Sequence, residues 1–236
     1  MSTLLIRLCG PMQSWGTRSR FTERDTEMEP SKSGVVGILC AALGRPRSED
    51  VSDLAALKMG VRVDSEGTMA NDYHTAGGVA RAAGSVSRNA VLSNRYYLAG
   101  SDFLVGLEGE DEAFLCELED ALRSPWWQLS LGRKSFLPSV PIHLPGDGGI
   151  RDLPRRAALV GEPWPLRPLA GRPRGSGDTR RLRLILETDF GGAARPETRN
   201  DQPLGAAFQD RTFGPRAIVQ EFFTKEQSNV PQPAHA

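Results

Sequence analysis

S-K-S-G-V-V-G-I-L-C-A-A-L-G, residues 31–44, reads as a serine-capped helix over residues 33–43 with a face of small and apolar side chains. Upstream, the apolar run Leu4 to Leu8 predicts a strand over residues 3–9. That run breaks at G-P-M-Q-S-W-G (residues 10–16) into a polar stretch carrying Arg18, Arg20 and Arg24. A strand, a Gly/Arg/Trp loop and an open helix N-terminus are thereby brought together. Such a combination suits phosphates, and Trp15 offers a ring that could stack on a base.

Downstream of the helix, residues 48–58 predict a second helix whose Ser48, Glu49 and Asp50 suit the positive end of its dipole, and V-R-V at 61–63 starts another strand. Residues 68–95 have little apolar periodicity and many Gly, Ala, Ser and Arg residues, so they read as an excursion out of the domain. R-Y-Y-L-A-G-S-D-F-L-V-G-L (95–107) alternates as a strand or hairpin, and E-D-E-A-F-L-C-E-L-E-D-A-L (110–122) is an amphipathic acidic helix. W-W-Q-L-S-L (126–131) supplies a fourth strand. Strand, helix, strand, strand, helix, strand is the order of an α+β ferredoxin-like unit, here with one extra helix before the second strand and a long insertion after it. The order fits an RNA-recognition-type sheet, a fold that hosts many functions.

From residue 138 onward the chain is rich in Pro and Gly, with strands expected at 180–188 and 216–223. The expected organisation is a ferredoxin-like domain over 1–140 with its insertion at about 68–95, a smaller irregular β-rich region over 141–227, and a disordered tail over 228–236. The 29 basic and 29 acidic residues of this 236-residue chain cancel, so no global field attracts nucleic acid and any such binding must be local. Charge is nonetheless segregated: residues 108–120 hold seven acids and no base, whereas 167–183 hold six arginines against Asp178 alone. Cys9, Cys40 and Cys116 are too widely spaced for a disulfide framework or a zinc knuckle and are expected as buried thiols in a reducing cytosol. No run approaches the ~18 apolar residues of a membrane span, and a cytoplasmic location is expected.

The search for catalytic chemistry is mostly negative. There is no P-loop, no dinucleotide fingerprint, no HExxH and no paired-cysteine metal spacing. Among the histidines only His74, in D-Y-H-T (72–75), has neighbours of interest. Tyr73, His74 and a nearby arginine are types able to serve a metal-independent ribonuclease, but polar clusters at loop bases are usually structural, and these are read first as anchoring the base of the inserted segment.

Five segments occur together and in order: G-P-M-Q-S-W-G at 10–16, P-S-K-S-G-V-V-G-I-L-C-A-A-L-G at 30–44, D-Y-H-T-A-G-G at 72–78, R-Y-Y-L at 95–98 and L-G-R-K-S-F at 131–136. Together they closely resemble the CasD family, the CRISPR-associated RAMP protein of the type I-E Cascade complex. The resemblance is specific through about residue 140 and general beyond it. It implies a noncatalytic Cascade subunit in antiviral defence, with a ferredoxin-like RAMP domain and a protruding β-hairpin thumb at 68–95. Such subunits cap the 5′ handle of the CRISPR RNA and contact the Cascade backbone subunit and the large subunit, target DNA being engaged only through the complex. No cofactor or metal is implied. Carried onto this chain, Gln13, Trp15 and Arg18 would lie beside the handle. Ser31, Lys32, Ser33 and Gly34 would offer hydroxyl, ammonium and backbone N–H groups to phosphates, and Arg95, Arg133 and Lys134 would add phosphate or stacking contacts. Tyr73 and His74 complete the expected RNA-binding set, Trp15 being open to either a core or a stacking role. The alternative, as in type I-C relatives, is an endoribonuclease that processes CRISPR repeat RNA.

Overall fold

Leu4, Leu5, Ile6 and Leu8 are all buried because strand β1 (Ser2–Cys9) lies inside a sheet covered on both faces. The computed structural model describes residues 1–18, 22–80, 84, 90–163, 179–191, 196–204, 210 and 212–226. After β1 come β2 (Met12–Gln13), β3 (Glu23–Arg24), α1 (Lys32–Leu43), α2 (Ser52–Ala56), β4 (Lys58–Ser65), β5 (Thr68–Ala76) and β6 (Val91–Ala99). The chain continues through β7 (Asp102–Gly109), α3 (Glu112–Arg123), β8 (Ile150–Arg151), α4 (Arg155–Gly161), β9 (Thr179–Thr188), β10 (Glu197–Pro203) and β11 (Phe213–Glu226).

The protein is mixed α+β and rich in strands. Its large sheet has the order β10-β11-β9-β4-β7-β1-β8, with every neighbouring pair antiparallel. Alternation along each strand sorts side chains between two layers. Leu4, Ile6 and Leu8 of β1 join Phe103, Val105 and Leu107 of β7 beneath α1 and α3, whose Val35, Leu39, Leu115 and Leu118 close the main core. Leu5, Leu104, Leu184 and Leu186 face the other way and are covered by Ala158 and Leu159 of α4. Residues 141–227 thus contribute β8 to one edge of this sheet and β9 to β11 to the other.

Residues 126–131, expected as the fourth strand, form none. The backbone N–H groups of Trp126 and Trp127 donate to the Ala42 and Ala41 carbonyls at 2.9 and 3.1 Å. A helix end leaves its last carbonyls without partners, and that demand takes the donors a strand ladder would have used. The strand that flanks β1 is instead the two-residue β8. The expected helix over 48–58 shortens to α2, because Glu49 and Asp53 bind Arg45 and Asp50 accepts from the Ser52 backbone at 2.8 Å.

The excursion at 68–95 is a hairpin. β5 and β6 pair antiparallel from Thr68↔Ala99 to Ala76↔Val91, and β6 carries β2 and β3 on its other edge. The R-Y-Y-L to F-L-V-G-L segment therefore divides between two sheets, turning at Gly100 with φ +69°. Of the cysteines, Cys9 and Cys40 are buried as expected, whereas Cys116 lies exposed on α3. Among the described residues no helix is long and apolar enough to cross a membrane. The expected tail at 228–236 and the arginines at 167–174 lie outside the described residues.

Candidate functional site

The loop that leaves β1 turns inward. Gln13, with no exposed surface, donates its side-chain amide to the carbonyls of Leu8 and Ser101 at 3.0 and 2.9 Å. Its Oε1 accepts the Trp15 indole N–H at 3.2 Å, and Trp15 is 1% exposed. The ring presses on α1 so closely that a Cβ at Gly34 would lie 2.9 Å from Trp15 Cε3. Gln13 and Trp15 are therefore internal, and Trp15 takes the core role. An indole buried this way keeps its polar N–H satisfied and has no face for a base.

The helix start is likewise spoken for. Ser31 caps α1 by accepting from Gly34 N at 3.3 Å, while Lys32 N donates to Asp201 Oδ2 at 2.7 Å. The Lys32 ammonium, expected to reach a phosphate, is 1% exposed and lies 3.0 Å from both Glu187 oxygens. Burial holds its pKa below the ordinary lysine value, against the opposing charge of Glu187. Arg216 completes the network with two bonds to Asp201, at 2.9 and 2.7 Å, and an approach of 3.8 Å to Glu187. The open helix N-terminus read from the sequence is thus filled by the protein's own β10 carboxylate. Lys32 ties α1 to β9, β10 and β11 rather than offering a charge to solvent.

Residues 130–136 form the opposite wall. Gly132 has φ +92°, and a Cβ there would fall 1.8 Å from Ser14 O, so only glycine lets this turn meet the residue-14 backbone. Ser14 N donates to Leu131 O at 3.0 Å, and Phe136 N to Arg133 O at 2.8 Å. The Arg133 guanidinium lies 5.3 Å from the Phe136 ring centroid and donates through Nη2 to Tyr96 O at 2.8 Å and Arg24 O at 3.4 Å. Arg24 pairs directly with Arg95 across the parallel β3–β6 contact, so three arginines share one patch. Arg133 is held below its ordinary pKa, first by burial and then by the charge of Arg95; Arg24 adds to this, while Asp72 and Asp25 oppose it.

These residues line a groove of about 1760 Å³ that runs along α1 past Ser31, Ser33, Gly34 and Gly37 to Arg45 and Arg47. Nothing lies within 4 Å of a Cβ placed on Gly37, so this helix face is open. Among the described residues Asp25 is the one acidic side chain in its wall. Among the described residues none of Arg18, Arg24, Arg47, Arg95, Arg133 and Lys134 forms an ion pair, and all six line the groove. Every other Lys or Arg with a described side chain is ion-paired, except Arg181, which lies over the Phe222 ring. Unpaired cations gathered in one concavity favour a polyanion.

Arg45, Arg47 and Trp127 join the groove without being expected there from the sequence, and Arg24 is expected only as part of the polar stretch after β1. L-G-R-P-R at 43–47 carries no motif, and Trp127 was absorbed into the expected strand. Tyr73 and His74 are not in the groove wall. They are consecutive residues of β5, so their side chains point to opposite faces of the hairpin, Tyr73 being 63% exposed. His74 shares its face with Asp72, the Nδ1 to Oδ2 distance being 3.7 Å.

A family model described as CRISPR-associated protein (Cas_Cas5) matches residues 3–220. The Cascade subunit CasD of Escherichia coli (strain K12) is 35% identical over 177 residues, covering 69% of this chain and 78% of that protein. A crystal structure of a Cas protein superposes with a TM-score of 0.70 at 46% identity, over 93% of this chain and 94% of the other. A chain of a CRISPR RNA-guided surveillance complex superposes with a TM-score of 0.73 at 33% identity, over 94% and 90%.

Proposed function

Because this chain belongs to the CRISPR-associated Cas5 family, we propose that it is a noncatalytic RNA-binding subunit of a Cascade surveillance complex. Its groove holds the 5′ handle of the CRISPR RNA. The observation that carries this reading is the segregation of unpaired cations: Arg18, Arg24, Arg47, Arg95, Arg133 and Lys134 all line one wall system. Arg24, Arg95 and Arg133 take phosphates, whose negative charge offsets both the burial and the neighbouring positive charge that lower Arg133. Ser33 supplies a polar floor along α1, and Gly37 leaves room for close approach. The ferredoxin-like reading of the N-terminal region is supported by the order β4-β7-β1-β8 with α1 and α3 on one face. The β5–β6 hairpin serves as the thumb, and contacts with the backbone and large subunits follow from the resemblance to CasD. The complex acts in the cytoplasm.

The test is binding of a 5′-handle RNA by the wild-type chain and by the Arg95→Ala/Arg133→Ala double variant. Each lost phosphate contact on a single strand lowers the slope of log affinity against log salt by about 0.7. A double variant with wild-type affinity and slope overturns the site. The ribonuclease reading is weakened by the opposite orientation of Tyr73 and His74 on β5. Incubation with CRISPR repeat RNA in EDTA decides it: intact RNA supports a holder, and cleavage lost in His74→Ala establishes an enzyme.

A further inference from the structure

Trp15 and Trp127 mark opposite fates for an indole beside α1. Trp15 is buried, but Trp127 is 46% exposed and lines the groove near the end of the helix. Its backbone is fixed, since Trp127 N donates to Ala41 O at 3.1 Å and Trp126 N to Ala42 O at 2.9 Å. Trp126 packs on the helix stop: a Cβ at Gly44, where φ is +76°, would lie 2.8 Å from the Trp126 Cγ. The Trp127 ring is therefore held by an anchored segment, and little ordering entropy opposes a ligand stacking on it.

The charge around it is equally selective. Arg45 is neutralised by Asp53, at 2.8 and 2.7 Å, and by Glu49 at 3.5 Å. Arg47, two residues on, is exposed and has no ion pair among the described residues. Gln128 and Ser130 line the same wall with an amide and a hydroxyl. From Gly34, beneath the Trp15 ring, to Ala41, which holds Trp127, α1 rises about 10 Å at 1.5 Å per residue. Trp127 thus stands about two helical turns beyond Gly34, past the stretch of α1 that Gly37 leaves open.

We propose that Trp127 is a stacking platform for one unpaired nucleobase of a single-stranded RNA and that Arg47 takes the adjoining phosphate. This subsite at the C-terminal end of α1 extends the groove beyond the Arg24, Arg95 and Arg133 patch, and it rests on the RNA-holding reading above. A half-exposed indole lining the same groove as an unpaired guanidinium gives sequence-tolerant affinity through the base face, with the amide and hydroxyl of Gln128 and Ser130 available to a base edge or a ribose.

The test uses the full chain, a single-stranded RNA of CRISPR-repeat sequence, and the same RNA with one abasic ribose moved along it. Trp127→Leu keeps apolar bulk but removes the π face. It is expected to lower RNA affinity about tenfold, the order of one lost base–aromatic stack, while leaving the salt slope unchanged. Trp127→Phe restores most of the affinity, whereas Arg47→Ala lowers the slope by about 0.7. One abasic position costs the wild type as much as Trp127→Leu does and costs that variant nothing more. Wild-type RNA affinity in Trp127→Leu overturns the proposal, including the case in which the variant instead fails to join neighbouring Cascade subunits. If Arg95→Ala/Arg133→Ala loses RNA while Trp127→Leu does not, only this subsite falls; if neither loses RNA, the groove reading falls with it.

Discussion

Two groups of basic side chains flank the start of α1, and they differ in what surrounds them. Lys32 and Arg216 are buried with Glu187 and Asp201, charge matched to charge across strands from the C-terminal half. Arg24, Arg95 and Arg133 are crowded with one another, and Arg133 is held below its ordinary pKa first by burial and then by the charge of Arg95. The first group is complete without a ligand. The second has like charges held together by β3, β6 and the Gly132 turn, an arrangement that costs stability until an anion arrives. Burial beside opposite charge marks architecture, and gathering beside like charge marks binding.

The largest effect expected from this contrast is on stability. Lys32→Met takes both ammonium bonds from the largely buried Glu187 carboxylate, leaving it Arg216 at 3.8 Å and the Met59 N–H, and should destabilise the fold by about 3 kcal/mol, read as a lower urea midpoint at an unchanged m-value. RNA affinity, measured where that variant is still folded, should be that of the wild type. A variant of normal stability with lost RNA binding would move Lys32 into the binding group. Gly132→Ala comes next. A left-handed alanine alone costs about 1–2 kcal/mol, and the 1.8 Å approach to Ser14 O forces the turn to move. The variant should lose both stability and, through displaced Arg133, RNA affinity.

Smaller changes sharpen the comparison. Arg95→Gln should weaken RNA binding about tenfold, in line with the ~1.5–3 kcal/mol typical of charge-assisted hydrogen bonds. It should leave the unfolding midpoint at or slightly above that of the wild type, because a repulsive charge has gone. A clear loss of stability would show that the arginine patch is structural. Least in magnitude is a thiol test. Burial pushes Cys9 up to about 12 and Cys40 up to about 11, so both stay protonated at pH 8, while Cys116 is exposed. Iodoacetamide at pH 8 should therefore alkylate one thiol in the folded chain and all three after urea; modification of Cys9 before unfolding would contradict the burial described.

Much of this architecture was legible because it is local. The apolar run of β1, the Ser31 cap, the amphipathic α3 and the Gly-rich insertion each announce themselves within a dozen residues or so. Trp126 and Trp127 misled because their backbone donors go to Ala41 and Ala42, a choice set by the unsatisfied end of α1 and not by their own pattern. Lys32 reads as a phosphate ligand because it sits at the start of a capped helix; its partner Glu187 is 155 positions away, where no local pattern can reveal it. The arginine patch was half visible. Arg95 and Arg133 belong to recognisable segments, but Arg24 joins them only through the parallel β3–β6 pairing, which no periodicity encodes.

The most direct measurement of the central claim is the salt dependence of 5′-handle RNA binding for three folded proteins: wild type, Lys32→Met, and the triple variant Arg24→Ala/Arg95→Ala/Arg133→Ala. The account predicts that Lys32→Met keeps the wild-type slope of log affinity against log salt, whereas the triple variant loses about 2 from its magnitude, roughly 0.7 for each phosphate contact removed. An unchanged slope in the triple variant, or an equal loss in Lys32→Met, would contradict it.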